Sequence, residues 1–160
     1  MKNEYRWMRI WVVAAMALVL GTSVWAKRDA YQFKFGLMAR GSQGQSVVYL
    51  ETNQIEKIAD PSYLHGFSIK RKDENQFYIY YIVRFPEPLK DLPEGIENYY
   101  SVLDGGRVLQ SNEEFVWELS RSFVFSDSDP VGQYELEVYV DAELYRKINY
   151  DVLPELKATF

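Results

Sequence analysis

Between residues 131 and 152 the chain reads VGQYELEVYVDAELYRKINYDV, and polarity changes at almost every step. A period of two belongs to a strand with one buried and one wet face, whereas an amphipathic helix needs a period near 3.6. The same alternation returns elsewhere. Tyr31, Phe33, Phe35 and Leu37 alternate with Gln32, Lys34 and Gly36, and Phe67 and Ile69 alternate with basic neighbours over residues 67–72. Beyond residue 26 no segment carries a sustained apolar stripe at helical spacing. Aromatic residues make up 16% of the 160-residue chain, led by thirteen Tyr, and bulky rings fit a pleated surface.

The spacing of turn signals divides this material into strands. GSQGQ at 41–45 is a flexible turn before strands at 46–50 and 54–58. Residues 61–66 read as punctuation, with His65 on an irregular segment. QFYIYYIVRF at 76–85 is apolar on both faces, which predicts a central strand covered on part of its second side. FPEPLKDLPEG at 85–95 is a connection, because proline cannot donate to a sheet ladder. Asp104-Gly105-Gly106 is a tight-turn signal between short strands. FVWELSRSFVF at 115–125 puts Phe115, Trp117, Leu119, Phe123 and Phe125 on one side; Arg121 interrupts them and predicts a bend or two short strands. About eight strands without a helix predict an all-β fold, an antiparallel sandwich or barrel.

For the last hairpin a three-residue loop, Asp141-Ala142-Glu143, sets Val140 opposite Leu144, Leu136 opposite Ile148 and Tyr134 opposite Tyr150. The other face then pairs Tyr139 with Tyr145 and Glu137 with Lys147. A two-residue loop would shift the register by one and mix the faces, which a sheet with one buried side resists.

The first 26 residues differ in kind. Lys2, Arg6 and Arg9 precede the uncharged run IWVVAAMALVL, and Val24 and Ala26 occupy the −3 and −1 places of a small-residue cleavage site. That is the layout of a secretory signal peptide, residues 1–26, ahead of a single domain at 27–160. The alternative is an anchor kept through residues 8–26, at the short edge of the length that spans a bilayer. The leader holds three basic groups and Glu4, a net of +2, so the chain's −5 leaves −7 on the remainder. That charge repels a phosphate backbone and does not favour anionic lipid, so neither nucleic acid nor, after cleavage, membrane insertion is expected. No cysteine is present, which excludes disulfides, thiolate metal sites, a thiol nucleophile and lipoprotein processing. An exported, disulfide-free chain without an N-x-[ST] sequon points to a bacterial periplasm or a secreted location.

These segments resemble known domains. Gly132-Gln133-Tyr134 opening a strand and Tyr150-Asp151-Val152 closing the next look like the last two strands of bacterial immunoglobulin-like sandwiches. Thr52, Ile55, Gly66 and Phe67 are similar to the early part of an uncharacterised family of short exported bacterial domains. The departure is Asp141-Ala142, where that pattern has Asn/Asp-Gly. The resemblance implies an antiparallel immunoglobulin-like β-sandwich preceded by an N-terminal signal helix; it brings no catalytic residues.

Several constellations have a chemical and a plain reading. Glu135 and Glu137 share one strand face about 7 Å apart at two residues of strand rise. Paired carboxylates can hydrolyse glycosides, but Lys147 is placed to pair with Glu137, and a solvated strand face is the reading adopted. Asp127 and Asp129 offer weak calcium ligands but too few oxygens, and Asx-turn chemistry before Pro130 accounts for them. His65, the sole histidine, sits near Ser62 and Ser68 without the convergent partners a triad needs. No catalytic residue, metal or cofactor is therefore assigned. Tyr139, Tyr145, Tyr78 and Tyr80 are the candidate interaction surface, since exposed Tyr brings area at small entropic cost. The expected function is a non-enzymatic envelope module that binds a protein partner through this face or an edge strand. The alternative is a carbohydrate-binding module using exposed Tyr or Trp117.

Overall fold

The alternating segments pair with one another as their spacing demands. A computed structural model describes residues 29–156 except Gln43. The leader expected over residues 1–26, and its cleavage, lie outside the described residues. The chain divides into two units, Met1–Tyr31 and Gln32–Phe160, and the architecture below belongs to the second. Among the described residues no helix is long and apolar enough to cross a membrane.

The strands are β1 (Tyr31–Arg40), β2 (Ser46–Glu51), β3 (Gln54–Glu56), β4 (Leu64–Arg71), β5 (Phe77–Arg84), β6 (Tyr100–Leu103), β7 (Val108–Ser111), β8 (Glu114–Val116), β9 (Glu118–Phe123), β10 (Gly132–Val140) and β11 (Glu143–Leu153). One sheet runs β2-β1-β4-β9; the other runs β3-β11-β10-β5-β7-β6, with β8 also on β5. QFYIYYIVRF is central, as its two apolar faces predict: β5 lies between β10 and both β7 and β8. The antiparallel expectation misses one pair, since β3 runs parallel to β11.

The order places β4 beside β9 in one layer and β11, β10, β5 in the other. That is the B–E and G–F–C arrangement of the immunoglobulin sandwich. Gly132-Gln133-Tyr134 supplies a second hallmark. The Tyr134 hydroxyl, at the start of β10, donates to the Pro130 carbonyl at 2.6 Å, closing a tyrosine corner. The molecule is an all-β, immunoglobulin-like β-sandwich. In place of an inter-sheet disulfide the layers meet through rings. Phe67 of β4 packs edge-on to Tyr81 of β5 at 5.3 Å and stacks on Phe33 of β1 at 5.8 Å. Such ring pairs contribute about 0.5–1.5 kcal/mol each beyond their buried area. Tyr81 keeps its hydroxyl satisfied in a 2.7 Å hydrogen bond with that of Tyr100.

Three local features depart from plain alternation. In β1 the buried side changes at Phe35 and Gly36, so Met38 is buried rather than Leu37 and joins Val48 and Leu64 in a small cluster, and a bulge opposite Leu37 and Met38 leaves Tyr49 of β2 as the extra residue. The hairpin β1–β2 also reaches β9, where the Ser120 hydroxyl donates to the Ser46 carbonyl at 2.5 Å. Second, the run 115–125 does break into two strands, but at Trp117: β8 joins β5 in one sheet and β9 joins β4 in the other. Phe115 and Trp117 are consequently exposed while Leu119 is buried, so the residues that alternation puts on one side do not share one environment. Third, β4 begins at Leu64, so His65 is a buried strand residue, not part of a turn.

The closing hairpin corrects the predicted loop. Val140 pairs with Glu143, leaving a two-residue turn of Asp141 (φ 50°) and Ala142 (φ 62°). Both are left-handed, as a type I′ turn requires. The register slip that this turn causes is undone by a bulge between Val138 and Tyr139, after which Leu136–Ile148, Tyr134–Tyr150 and Glu137–Lys147 pair as predicted. Asp141 earns its place where glycine is the usual choice: its Oδ1 accepts the Tyr78 N–H at 3.1 Å and its own N–H donates to the Tyr78 carbonyl at 2.9 Å. The turn is thereby fastened to the neighbouring strand β5.

Candidate functional site

Residues of β5 and β10 that alternate with the core point away from it. Tyr80 and Tyr139 are directly cross-strand, and their rings stack at 4.6 Å with planes 5° apart. Tyr78 meets Phe115 of β8 at 4.5 Å, and both are about half exposed, at 50% and 51%. Leu144 of β11 pairs with Tyr139 and is exposed as well. Phe115, Tyr78, Tyr80, Tyr139 and Leu144 thus form an apolar row across four strands of one sheet.

Of the four tyrosines predicted to share this surface, the structure brings together Tyr78, Tyr80 and Tyr139. Tyr145 is not with them. It is the extra residue of the β11 bulge and is buried, tilted against Phe33 at 6.0 Å with the Arg146 guanidinium 5.6 Å from its ring centre. The predicted Tyr139–Tyr145 pair does not form, because the bulge turns Tyr145 off that face. Sequence reasoning missed Phe115 and Leu144. The change of sheet at Trp117 exposes the first and the bulge exposes the second, and neither leaves a mark in local alternation.

Beside the row lies a charged cluster. Lys147 Nζ is 2.7 Å from Glu135 and 3.5 Å from Glu137, while Arg84 reaches Glu135 at 3.2 Å and Glu137 at 3.3 Å. Burial pushes the Glu137 carboxyl up, but Arg84, the Tyr139 hydroxyl and Lys147 outweigh it and hold the group below its ordinary range. A carboxyl so held is a poor general acid, which needs a raised pKa. The two glutamates therefore serve the sheet as ion-pair partners; the predicted Lys147–Glu137 pair forms, but the face is not the solvated one expected, since Glu137 is buried under its partners.

Asp129 is also structurally engaged. Its Oδ2 accepts the Ser126 N–H at 2.8 Å and its own N–H donates to the Ser126 carbonyl at 3.2 Å, which closes the turn before Pro130 by a backward bond and not by the Asx turn expected there. Among the described residues no group of three or more His, Asp or Glu is close enough to hold a metal ion.

His65 occupies a distinct place. Its ring stacks on Phe125 at 4.3 Å and is tilted against Phe123 and Tyr150 at 5.6 and 5.9 Å. It is 2% exposed, and its Nδ1 makes no hydrogen bond. Burial pushes its pKa down to about 4, so the ring is neutral at physiological pH. The ring forms part of the wall of a cavity of about 310 Å³ at one end of the sandwich. Phe85, Leu109, Phe125 and Tyr134 line it as well, and the proline-rich connection adds Leu89, Pro93 and Ile96 to the lining.

No family model and no curated protein matches this chain. Among solved structures it is similar to an immunoglobulin-like protein from Pseudomonas aeruginosa, at 12% identity and a TM-score of 0.45, covering 76% of this chain and 91% of that one. The assignment to the immunoglobulin-like class stands on the strand order and the tyrosine corner described above.

Proposed function

We propose that this chain is an exported, non-enzymatic module that binds a protein partner in a bacterial envelope through the outer face of its larger sheet. The observation that carries the reading is the row Phe115, Tyr78, Tyr80, Tyr139 and Leu144, lying beside the Arg84–Glu135–Glu137–Lys147 cluster. An apolar centre rich in Tyr with charges beside it is the composition of a protein-binding surface. Export rests on the charged, apolar and small-residue segments of residues 1–26.

Two alternatives have less support. A sugar-binding platform offers ring faces to the sugar, whereas Tyr80 and Tyr139 cover each other's faces and Trp117 stands among Lys70, Glu74 and Glu118. For strand addition, β2 exposes Val47, Tyr49 and Leu50, but Ser46 at its start is tied to Ser120 and Ser122 of β9.

The test is site-directed photocrosslinking in the producing cell envelope. A benzophenone side chain at Phe115 should yield one discrete protein adduct, and Tyr78→Ala with Tyr139→Ala should remove it. The same group at Lys34, exposed on the other sheet, should give none. Equal adducts from both positions, or none from Phe115, would dismiss this face.

A further inference from the structure

Tyr134 and Tyr150 are cross-strand partners on β10 and β11, and both are buried at the end of the sandwich where the cavity lies. The Tyr134 hydroxyl is bound to the Pro130 carbonyl. Tyr150 is 2% exposed, and its hydroxyl has no hydrogen-bond partner among the described residues, although buried polar groups are normally partnered. His65 Nδ1 is sealed from any water-sized molecule; the Tyr150 hydroxyl is not, and Tyr150 lines the cavity. A carboxylate stands near it. Asp129 lies on the same lining, and burial, Tyr134 and the Asp129 charge together push the Tyr150 pKa up. Of the two Asp129 carboxylate oxygens only Oδ2 is engaged, by the Ser126 N–H. Asp91 is a second acid on the lining, and among the described residues no Lys or Arg joins them there.

We propose that this cavity binds a primary organic ammonium ion carrying one aromatic ring, with the ring among Phe85, Leu109 and Phe125 and the N–H groups shared between the Tyr150 hydroxyl and Asp129 Oδ1. The volume of about 310 Å³ is near the lower end of ligand pockets. An apolar cavity of about 150 Å³ already admits benzene, so a ring with a short aminoalkyl arm fits. A primary ammonium has three donors and no acceptor, which answers the two oxygens that the chain leaves without a donor. Taken out of water, such a charge must be paired, and Asp129 supplies the opposite charge. Neighbouring ring faces attract the cation further. A carboxylate ligand would meet no Lys or Arg in this wall and would face Asp91 and Asp129. A neutral alcohol would answer Tyr150 but leave the Asp129 charge uncompensated. A bare metal ion lacks ligands, since among the described residues no three His, Asp or Glu side chains converge.

The experiment uses the full chain with methyl-labelled Val, Leu and Ile, followed by NMR at neutral pH. It is titrated with phenethylammonium, 2-phenylethanol and 3-phenylpropanoate, which share a ring and differ in the charge of the head group. For phenethylammonium, shifts should centre on Val83, Leu109 and Ile96 and saturate below millimolar concentration. 2-Phenylethanol should bind about tenfold more weakly, the worth of a hydrogen bond to a charged group, and 3-phenylpropanoate should not bind. Tyr150→Phe removes a hydroxyl that has no partner in the chain, so the urea midpoint should hold while phenethylammonium weakens about tenfold. Asp129→Asn keeps an oxygen for the Ser126 N–H and should weaken phenethylammonium by a similar factor while leaving 2-phenylethanol unchanged; should it fail to fold, Tyr150→Phe decides alone. The proposal is overturned if phenethylammonium binds no better than 2-phenylethanol. It is equally overturned if its shifts lie away from the cavity, if a folded variant leaves its affinity unchanged, or if it does not bind.

Discussion

Replacing His65 with Phe should flatten the acid limb of this protein's stability curve. In the folded state the imidazole titrates at about 4 because burial disfavours its charged form; its ordinary value is 6.5. Between those two values the unfolded chain binds a proton that the native ring refuses. Stability is then whole above about 6.5 and falls as pH drops towards about 4, since unfolding takes up a proton across that window. At about 1.4 kcal/mol per pH unit the loss is about 3 kcal/mol. That is a large part of the ~5–15 kcal/mol typical of a domain. Urea unfolding followed by tryptophan fluorescence at several pH values reads it directly. Other groups also titrate, Glu137 among them, but they are common to both proteins and cancel in the difference. The wild type should lose about 3 kcal/mol more than His65→Phe between about pH 7.5 and about pH 4. Parallel curves would show that His65 is solvated in the native state, and the account of the cavity wall would fail with it.

Four further substitutions test the fold. Ala142→Gly relieves a left-handed residue and should raise stability by about 0.5–1 kcal/mol after the added unfolded-state entropy; Asp141→Gly gains the same relief but loses the hydrogen bond to the Tyr78 N–H, so equal stabilisation by both would show that bond to be idle. Tyr134→Phe removes the corner hydrogen bond to Pro130 and should lower the urea midpoint by about 1 kcal/mol equivalent at an unchanged m-value, whereas no change would mean that water replaces it freely. Gly66→Ala puts a Cβ 2.0 Å from the Arg121 carbonyl oxygen at φ +154°, so thermal unfolding should report a loss above about 3 kcal/mol, and a loss below about 1 kcal/mol would mean that β4 and β9 part easily there.

Strand identity was legible wherever one face is buried and the other wet, because alternation records that condition residue by residue. It marked β1, β5, β10 and β11, the centrality of β5 and most of the last hairpin's register. The motif Gly132-Gln133-Tyr134 also pointed correctly to the sandwich class. What alternation cannot record is a change of partner. Phe115 and Leu119 share a parity but lie in different sheets, and nothing local marks the crossing at Trp117. The hairpin bulge is similar: its extra residue restores the register downstream, so a three-residue loop and a two-residue loop plus bulge predict the same distal pairs. They differ only near the turn, and there Tyr145 is lost from the surface and Leu144 gained.

The candidate sites divide along the same line. Three of the four surface tyrosines could be placed from the side of the strand they occupy, and the Glu137–Lys147 pair from cross-strand register. His65 could not, since its meaning depends on Phe123, Phe125 and Tyr150, which lie far from it along the chain. Local order of polar and apolar residues was enough to make this an all-β chain with a buried side, because each strand's pattern is set by its own two faces. Which faces meet, which rings are left outside and where a cavity remains were decided only when the layers packed, because those depend on contacts between segments whose separation in sequence carries no trace of their separation in space.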